Sequence, residues 1–323
     1  MPHCCIHTSG VLALLTLALS GACDHVDADP SGAANEEFRP ASDWNCRTCD
    51  MSNSPAHGTY AVDEFEAGKS PSFGSTTITG IRDTTGVVHP VVFAEGRVFA
   101  DLNGSGVLAE GPALVDWTLL FHVGFTSLEV DIFGYEEHPD WVGQADVPTY
   151  SLTYFDFSSG EPERVSICPA DHPDQTSIVF ISDERYDTAN NLVIPDQFGW
   201  VTAACRGHAL AKMKMLGYDP HDSYHSDPMQ RQATLRMLKA DYCGNGDSWT
   251  VLGQPLEWRD AMGHVPWDGD EKPAAMEALF DEHGAICLDT PRVHPISAIG
   301  PCTIPACNNV LDIGDATWLT LVK

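Results

Sequence analysis

Eleven cysteines are spread over 323 residues, and their placement constrains the fold more than any other feature of the chain. Cys4 and Cys5 precede a nine-residue run, Val11–Leu19 (VLALLTLAL), and nine cysteines follow it. The run is too short to span a bilayer and has the length of a secretion-signal core. Export carries a chain into an oxidising compartment, where paired cysteines become disulfides.

The end of that signal is informative. Leu19-Ser20-Gly21-Ala22-Cys23 places small residues before a cysteine. This is the pattern of a bacterial lipobox, in which Cys23 is lipidated and becomes the mature N-terminus. Ser20 stands where that motif usually has Leu, and Ser20 with Ala22 also suits ordinary signal peptidase cutting at the same bond. Parity favours lipidation. Cysteines 23, 46, 49, 168, 205, 243, 287, 302 and 307 are nine, and removing Cys23 leaves eight that can pair. The expected order is a signal peptide over 1–22, a linker over 23–45 and one β-rich domain over 46–323. The linker (DHVDADPSGAANEEFRPAS and its flanks) is acidic and rich in small residues, a flexible spacer.

Composition excludes one class of partner. Forty-six acidic side chains against 17 basic ones give a net charge of −29. That field repels phosphate backbones and anionic lipid, so no nucleic acid is expected as partner. The same surface suits solubility of an exported protein.

From Gly58 to Gln197 the pattern is β. Thr76–Ile81, Val87–Phe93, Leu114–His122, Ser127–Phe133, Tyr150–Phe157, Arg164–Ile167 and Ile178–Ser182 are short, rich in β-branched and aromatic residues and separated by Gly, Pro and Asp. Two consecutive helices are expected next, over about 201–216 and 228–243. The first is apolar on most sides, with Gly217 as its C-cap and Lys212 and Lys214 complementing its dipole. The second opens with Asp227-Pro228-Met229-Gln230, an N-cap acid, proline and a reach-back Gln. Met229, Ala233, Met237 and Ala240 form its expected buried stripe, and Gly244 its cap. Leu256–Arg259 reads as a strand, and Met276–Phe280 as strand or helix. The fold class is α+β: a β-rich body with two helices packed on it, stapled by disulfides.

Lys239-Ala240-Asp241-Tyr242-Cys243-Gly244 carries a resemblance. The chain resembles the ADYC domain family, bacterial exported proteins of lipoprotein type named for that tetrapeptide. Ala204-Cys205, Ala209-Leu210-Ala211-Lys212, Leu216-Gly217-Tyr218, Arg236-Met237, Gly253-Gln254-Pro255-Leu256, Gly284-Ala285-x-Cys287 and Asn53-Ser54-Pro55 fit the same pattern. The likeness is strongest over about 200–290. Relatives carry cysteines where this chain has Met213 and Thr234, which implies a helix-to-helix bridge there that apolar packing at Met213 must replace here. The family has no assigned activity, so the resemblance brings no catalytic residues.

Candidate chemistry is sparse. Cys205 lies three residues before His208, a spacing that lets a cysteine and a histidine share a helix side as a nucleophile pair. Asp241 joins them as a third candidate. Cys243, at a helix C-terminus beside Asp241, sits where a thiolate is disfavoured and a disulfide half is the better reading. His221, Asp222 and His225 concentrate metal-ligand types, but Pro220 and Pro228 bracket them as a loop. Asp268-Gly269-Asp270-Glu271 lacks the later ligands of a calcium loop. There is no P-loop, no G-x-S-x-G and no H-E-x-x-H, and no cofactor is expected.

The expected pairs are Cys302–Cys307, closing a small proline turn, and Cys46–Cys49, closing locally. Cys243 and Cys287 both belong to the region that resembles the family after the first helix, which gives Cys243–Cys287 and leaves Cys168–Cys205. The expected function is an exported envelope lipoprotein, held to the membrane through Cys23 and serving as a non-catalytic binding or structural module. The alternatives are a secreted hydrolase with a site assembled from loops and a divalent-metal-binding envelope protein.

Overall fold

The computed structural model describes residues 54–67, 76–102, 106–143, 145–168, 176–187, 189–221, 225–250, 256–265, 275–292, 299, 302–308 and 313–322. All of them belong to one compact unit, Asn35–Lys323. The signal, Cys23, the linker, Cys46, Cys49 and Asp222 lie outside the described residues.

The described strands are, in chain order, β1 (Ala56–His57), β2 (Tyr60–Ala61), β3 (Glu64–Ala67), β4 (Thr76–Arg82), β5 (Val88–His89), β6 (Val91–Ala94), β7 (Arg97–Leu102) and β8 (Val107–Glu110). A 3-10 turn at Gly111–Leu114 precedes β9 (Thr118–Val123), β10 (Thr126–Pro139), β11 (Asp146–Asp156), β12 (Glu163–Ser166), β13 (Ser177–Ser182), β14 (Arg185–Asp187), β15 (Leu192–Ile194) and β16 (Trp200–Cys205). Then come α1 (Ala209–Met215), α2 (Pro228–Lys239), β17 (Leu256–Asp260), β18 (Ala275–Asp281), β19 (Gly284–Leu288) and β20 (Trp318–Val322). The class is α+β: the described residues are mostly strand, with two helices and three disulfides among them.

Strands β10-β9-β4-β3-β16-β13-β11 pair in that order, and β10 pairs with β11 to close the ring. Among the described residues only the β3–β4 ladder is parallel. The ring is a small barrel filled by its own side chains, as barrels of this size are. Phe65 meets Phe121 edge-on at 5.0 Å and Phe93 at 5.3 Å, and Phe180 lies 5.1 Å from Phe93 and 5.3 Å from Tyr150. The separate β6-β7-β8 sheet supplies Phe93 to this cluster, and the Val98 amide donates to the Tyr150 hydroxyl at 2.9 Å.

The period-2 rule explains how the barrel carries the helices. On β13, Ile178 and Phe180 join the barrel core, while Val179 and Ile181 join a second core with α1, α2 and the four-stranded β17-β20-β18-β19 sheet. On β16, Val201, Ala203 and Cys205 face the barrel core and Ala204 faces the helices. Two cores thus share one wall.

This corrects the first expected helix. Residues 201–205 are strand, and α1 begins only at Ala209. A strand buried on both faces reads as the same continuous apolar run as a buried helix. Gly217 does take a left-handed conformation (φ 76°) after α1. The second helix keeps its start: Asp227 and Gln230 form a reciprocal capping box around Pro228. It stops earlier than expected, because Ala240 (φ 50°, ψ 41°) is the left-handed cap rather than Gly244. Met229 is 58% exposed, so it does not belong to the buried stripe. Leu114 belongs to the 3-10 turn, and Met276–Phe280 is strand.

Candidate functional site

The tetrapeptide Ala240–Cys243 follows α2 directly, and each of its residues is committed. Ala240 reverses the chain; its amide and that of Asp241 return to the Met237 and Arg236 carbonyls. The fully buried Asp241 carboxylate then organises the turn. It accepts from the Asn245 amide at 3.1 Å, the Gly246 amide at 3.0 Å and the Asn191 side chain at 3.2 Å, and pairs with Arg236. Tyr242 donates its hydroxyl to Glu277 Oε1 at 2.7 Å and accepts from the Arg292 amide at 2.9 Å. Its carbonyl receives the Ala285 amide at 2.8 Å, docking the turn on the β18–β19 hairpin. Cys243 is bonded to Cys302.

Two glycines allow this approach. A Cβ on Gly244 (φ 63°) would overlap the His283 carbonyl oxygen, and one on Gly284 (φ 126°) would sit 2.7 Å from the Tyr242 carbonyl. Both backbones are in regions that L side chains avoid.

Three further buried ion pairs, besides Arg236–Asp241, surround the turn and the helices. Arg292 donates to Glu277 (Nε to Oε1, 2.7 Å) and reaches the Met237 and Leu238 carbonyls at 2.9 and 3.3 Å, satisfying the C-terminus of α2. Arg231 binds Glu184 through Nε and Nη2, at 2.9 and 2.6 Å to Oε2, while Tyr186 donates to Glu184 Oε1 at 2.5 Å. Lys214 meets Asp219 at 2.5 Å. Burial pushes the Glu184 carboxyl up, against the pull of Arg231. Burial and then the nearby Glu277 carboxylate push the Tyr242 phenol up, so it stays a donor.

The expected nucleophile pair is not assembled. Cys205 is a strand residue bonded to Cys168, at a Cα separation of 5.8 Å. His208 is the N-cap of α1, its Nδ1 accepting from the Leu210 amide at 3.2 Å. Burial, with Lys239 and Lys212 nearby, lowers its pKa to about 3, so the ring is neutral. Burial and Arg292 lower Lys212 to about 7; Lys212 is engaged rather than free. These residues are consumed by separate structural tasks. Asp241 is likewise an acceptor of turn amides rather than the third member of a catalytic set.

His221 holds Asp183 at 3.0 Å, and His225 is an exposed residue with φ 54°. No group of three or more His, Cys, Asp or Glu that could hold a metal occurs among the described residues. Where cysteines occupied the helices in the expected bridge of relatives, Met213 is wholly buried and the Thr234 hydroxyl accepts from the Trp318 indole at 2.9 Å.

The disulfides need a partial correction. Cys168 pairs with Cys205 as expected, but Cys243 pairs with Cys302 and Cys287 with Cys307, in place of Cys243–Cys287 and Cys302–Cys307. Residues 302–307 make no turn. They run beside β19, where the Leu288 amide donates to the Pro305 carbonyl at 2.9 Å. One end of the segment therefore reaches the tetrapeptide turn and the other reaches β19. Sequence reasoning missed Glu277, Arg292, Glu184 and Arg231 altogether; buried charges at single positions leave no periodic signal.

A protein-family comparison matches residues 111–294 to the ADYC domain. The match starts ahead of β9, so it takes in barrel strands as well as both helices and leaves Asn53-Ser54-Pro55 outside. The four buried ion pairs, Arg236–Asp241 included, fall within it. No curated protein and no solved structure matches the chain.

Proposed function

Because the chain belongs to the ADYC domain family, with more than half of its length inside the matched region, we propose that it is an exported, lipid-anchored envelope protein acting as a non-catalytic binding or structural module. The observation that carries this reading is the fate of the tetrapeptide: a cap, a turn-organising carboxylate, a buried donor and a disulfide half. A turn so fully committed has no group left to attack or protonate a substrate. The three disulfides among the described residues support folding in an oxidising compartment. Among the described residues no helix is long and apolar enough to cross a membrane, and attachment through Cys23 supplies the membrane link in this reading.

The test is fractionation with metabolic lipid labelling. The native protein partitions with membranes and carries label. Cys23→Ala loses the label and appears in the soluble fraction, or stays unprocessed. A Cys23→Ala protein of mature size that remained in the detergent phase would remove the anchor from the account.

A further inference from the structure

Three hairpin tips converge on one rim of the barrel. Strand β10 pairs with β11 only from Asp131 onward; below that point β10 stays with β9, and beyond Thr153 β11 stays with β12. The β9–β10 and β11–β12 hairpins therefore splay apart, and the β1–β2 hairpin bridges them. Its Tyr60 hydroxyl lies 3.5 Å from Thr126 on one side, and its His57 ring stacks on Tyr154 at 4.1 Å on the other. Each hairpin shows an aromatic side chain to solvent there: Phe125 is 91% exposed, Phe157 66% and Tyr60 38%. A cluster of exposed aromatics costs solubility and marks a contact surface.

We propose that this rim rests on the interfacial layer of the bilayer that holds the anchor, with Phe125, Phe157 and Tyr60 as the contacting side chains. This rests on the lipid-anchor reading of Cys23. Geometry and chemistry favour lipid as occupant. The chain enters the rim from its N-terminal side, through Ser54–Ala56, so the tethered end of the domain is the aromatic end. If the 30 residues between Cys23 and Ser54 behave as the random-coil spacer expected from their composition, their end-to-end span is on the order of 30 Å, short enough to keep that rim beside the membrane. Aromatic residues favour the headgroup level of a bilayer. The tips 57–60, 124–127 and 157–162 contain no Lys or Arg and one exposed acid, Glu161, so the contact gains nothing from anionic lipid and suits neutral headgroups.

The experiment is hydrogen exchange on the full-length acylated protein, in phosphatidylcholine vesicles against detergent. Amides of the three tips exchange roughly tenfold more slowly on vesicles, while the turn holding Phe198, itself 80% exposed and outside the three hairpins, is unchanged. The double variant Phe125→Ser/Phe157→Ser loses the protection at Tyr60 as well, keeps its melting temperature and remains attached through lipid. Unchanged tips, or equal protection at Phe198, overturns the proposal. Protection that instead rises with protein concentration without lipid assigns the rim to a second copy and also overturns it. If the intact mass shows no lipid on Cys23, the anchor reading fails by itself. Flotation of the unacylated chain with the same vesicles then decides the rim: it floats and the double variant does not, or the wild type fails to float and the proposal falls.

Discussion

Arg292 lies 2.7 Å from Glu277 through its Nε, and both side chains are almost completely buried. The same guanidinium reaches back to the carbonyls that end α2, and the Arg292 amide donates to the Tyr242 hydroxyl. One arginine therefore joins a helix end, a sheet strand and the signature turn.

Removing either side of that junction strands a buried polar group. Glu277→Ala leaves Arg292 as an unpaired buried charge and should cost about 3–5 kcal/mol. Tyr242→Phe removes one hydroxyl shared by two partners and should cost about 1–3 kcal/mol. Urea denaturation measures both. A Tyr242→Phe protein as stable as the wild type would mean that the hydroxyl does not hold the turn to β18.

The glycine at 244 should tolerate nothing larger. Gly86 also has positive φ, at 91°, but a Cβ there meets nothing within 4 Å. Gly86→Ala should therefore cost only the backbone term, about 1–2 kcal/mol. Gly244→Ala must in addition push the His283 carbonyl away, and should either fail to accumulate or melt well below Gly86→Ala. Equal melting temperatures would show that the turn and the β18–β19 hairpin are not in contact.

A third expectation concerns pH. The folded pKa of His208, about 3, lies below its ordinary 6.5 because burial disfavours the charged ring. Between those values the unfolded chain binds the proton and the folded one does not, so stability is lost as pH falls from 6.5 toward 3. His208→Asn keeps an N-cap acceptor without a titrating ring. Relative to that variant, the wild type should lose stability on acidification through this window, with a slope of up to about 1.4 kcal/mol per pH unit. Parallel curves would place His208 in solvent.

Local signals carried much of this architecture. The capping box at Asp227 and Gln230, the left-handed Gly217 and the alternation of Leu128-Glu129-Val130-Asp131-Ile132 are short-range patterns, and each has its counterpart in the fold. What failed depends on tertiary context. Val201–Cys205 is strand because both of its faces are covered, one by the barrel core and one by the helices, and no window of sequence reports that. Cys302 and Cys307 are close in sequence yet serve different partners, because the segment between them makes no turn. The signature turn was visible as a motif, but its anchors, Glu277 and Arg292, lie 35 and 50 residues beyond Tyr242.

Cys243 belongs to the covalent framework and is not a reactive thiol. The two bridges that depart from a local pairing close separations of 59 and 20 residues, and each should stabilise the fold by about 3–4 kcal/mol on chain-entropy grounds. Peptide mapping of the native protein, alkylated before digestion and kept unreduced, tests this directly. The expected result is a linked peptide pair joining Cys243 to Cys302, a second joining Cys287 to Cys307, and no alkylation at position 243. A Cys243 that alkylates in the folded protein would contradict it and return the signature turn to the list of reactive sites.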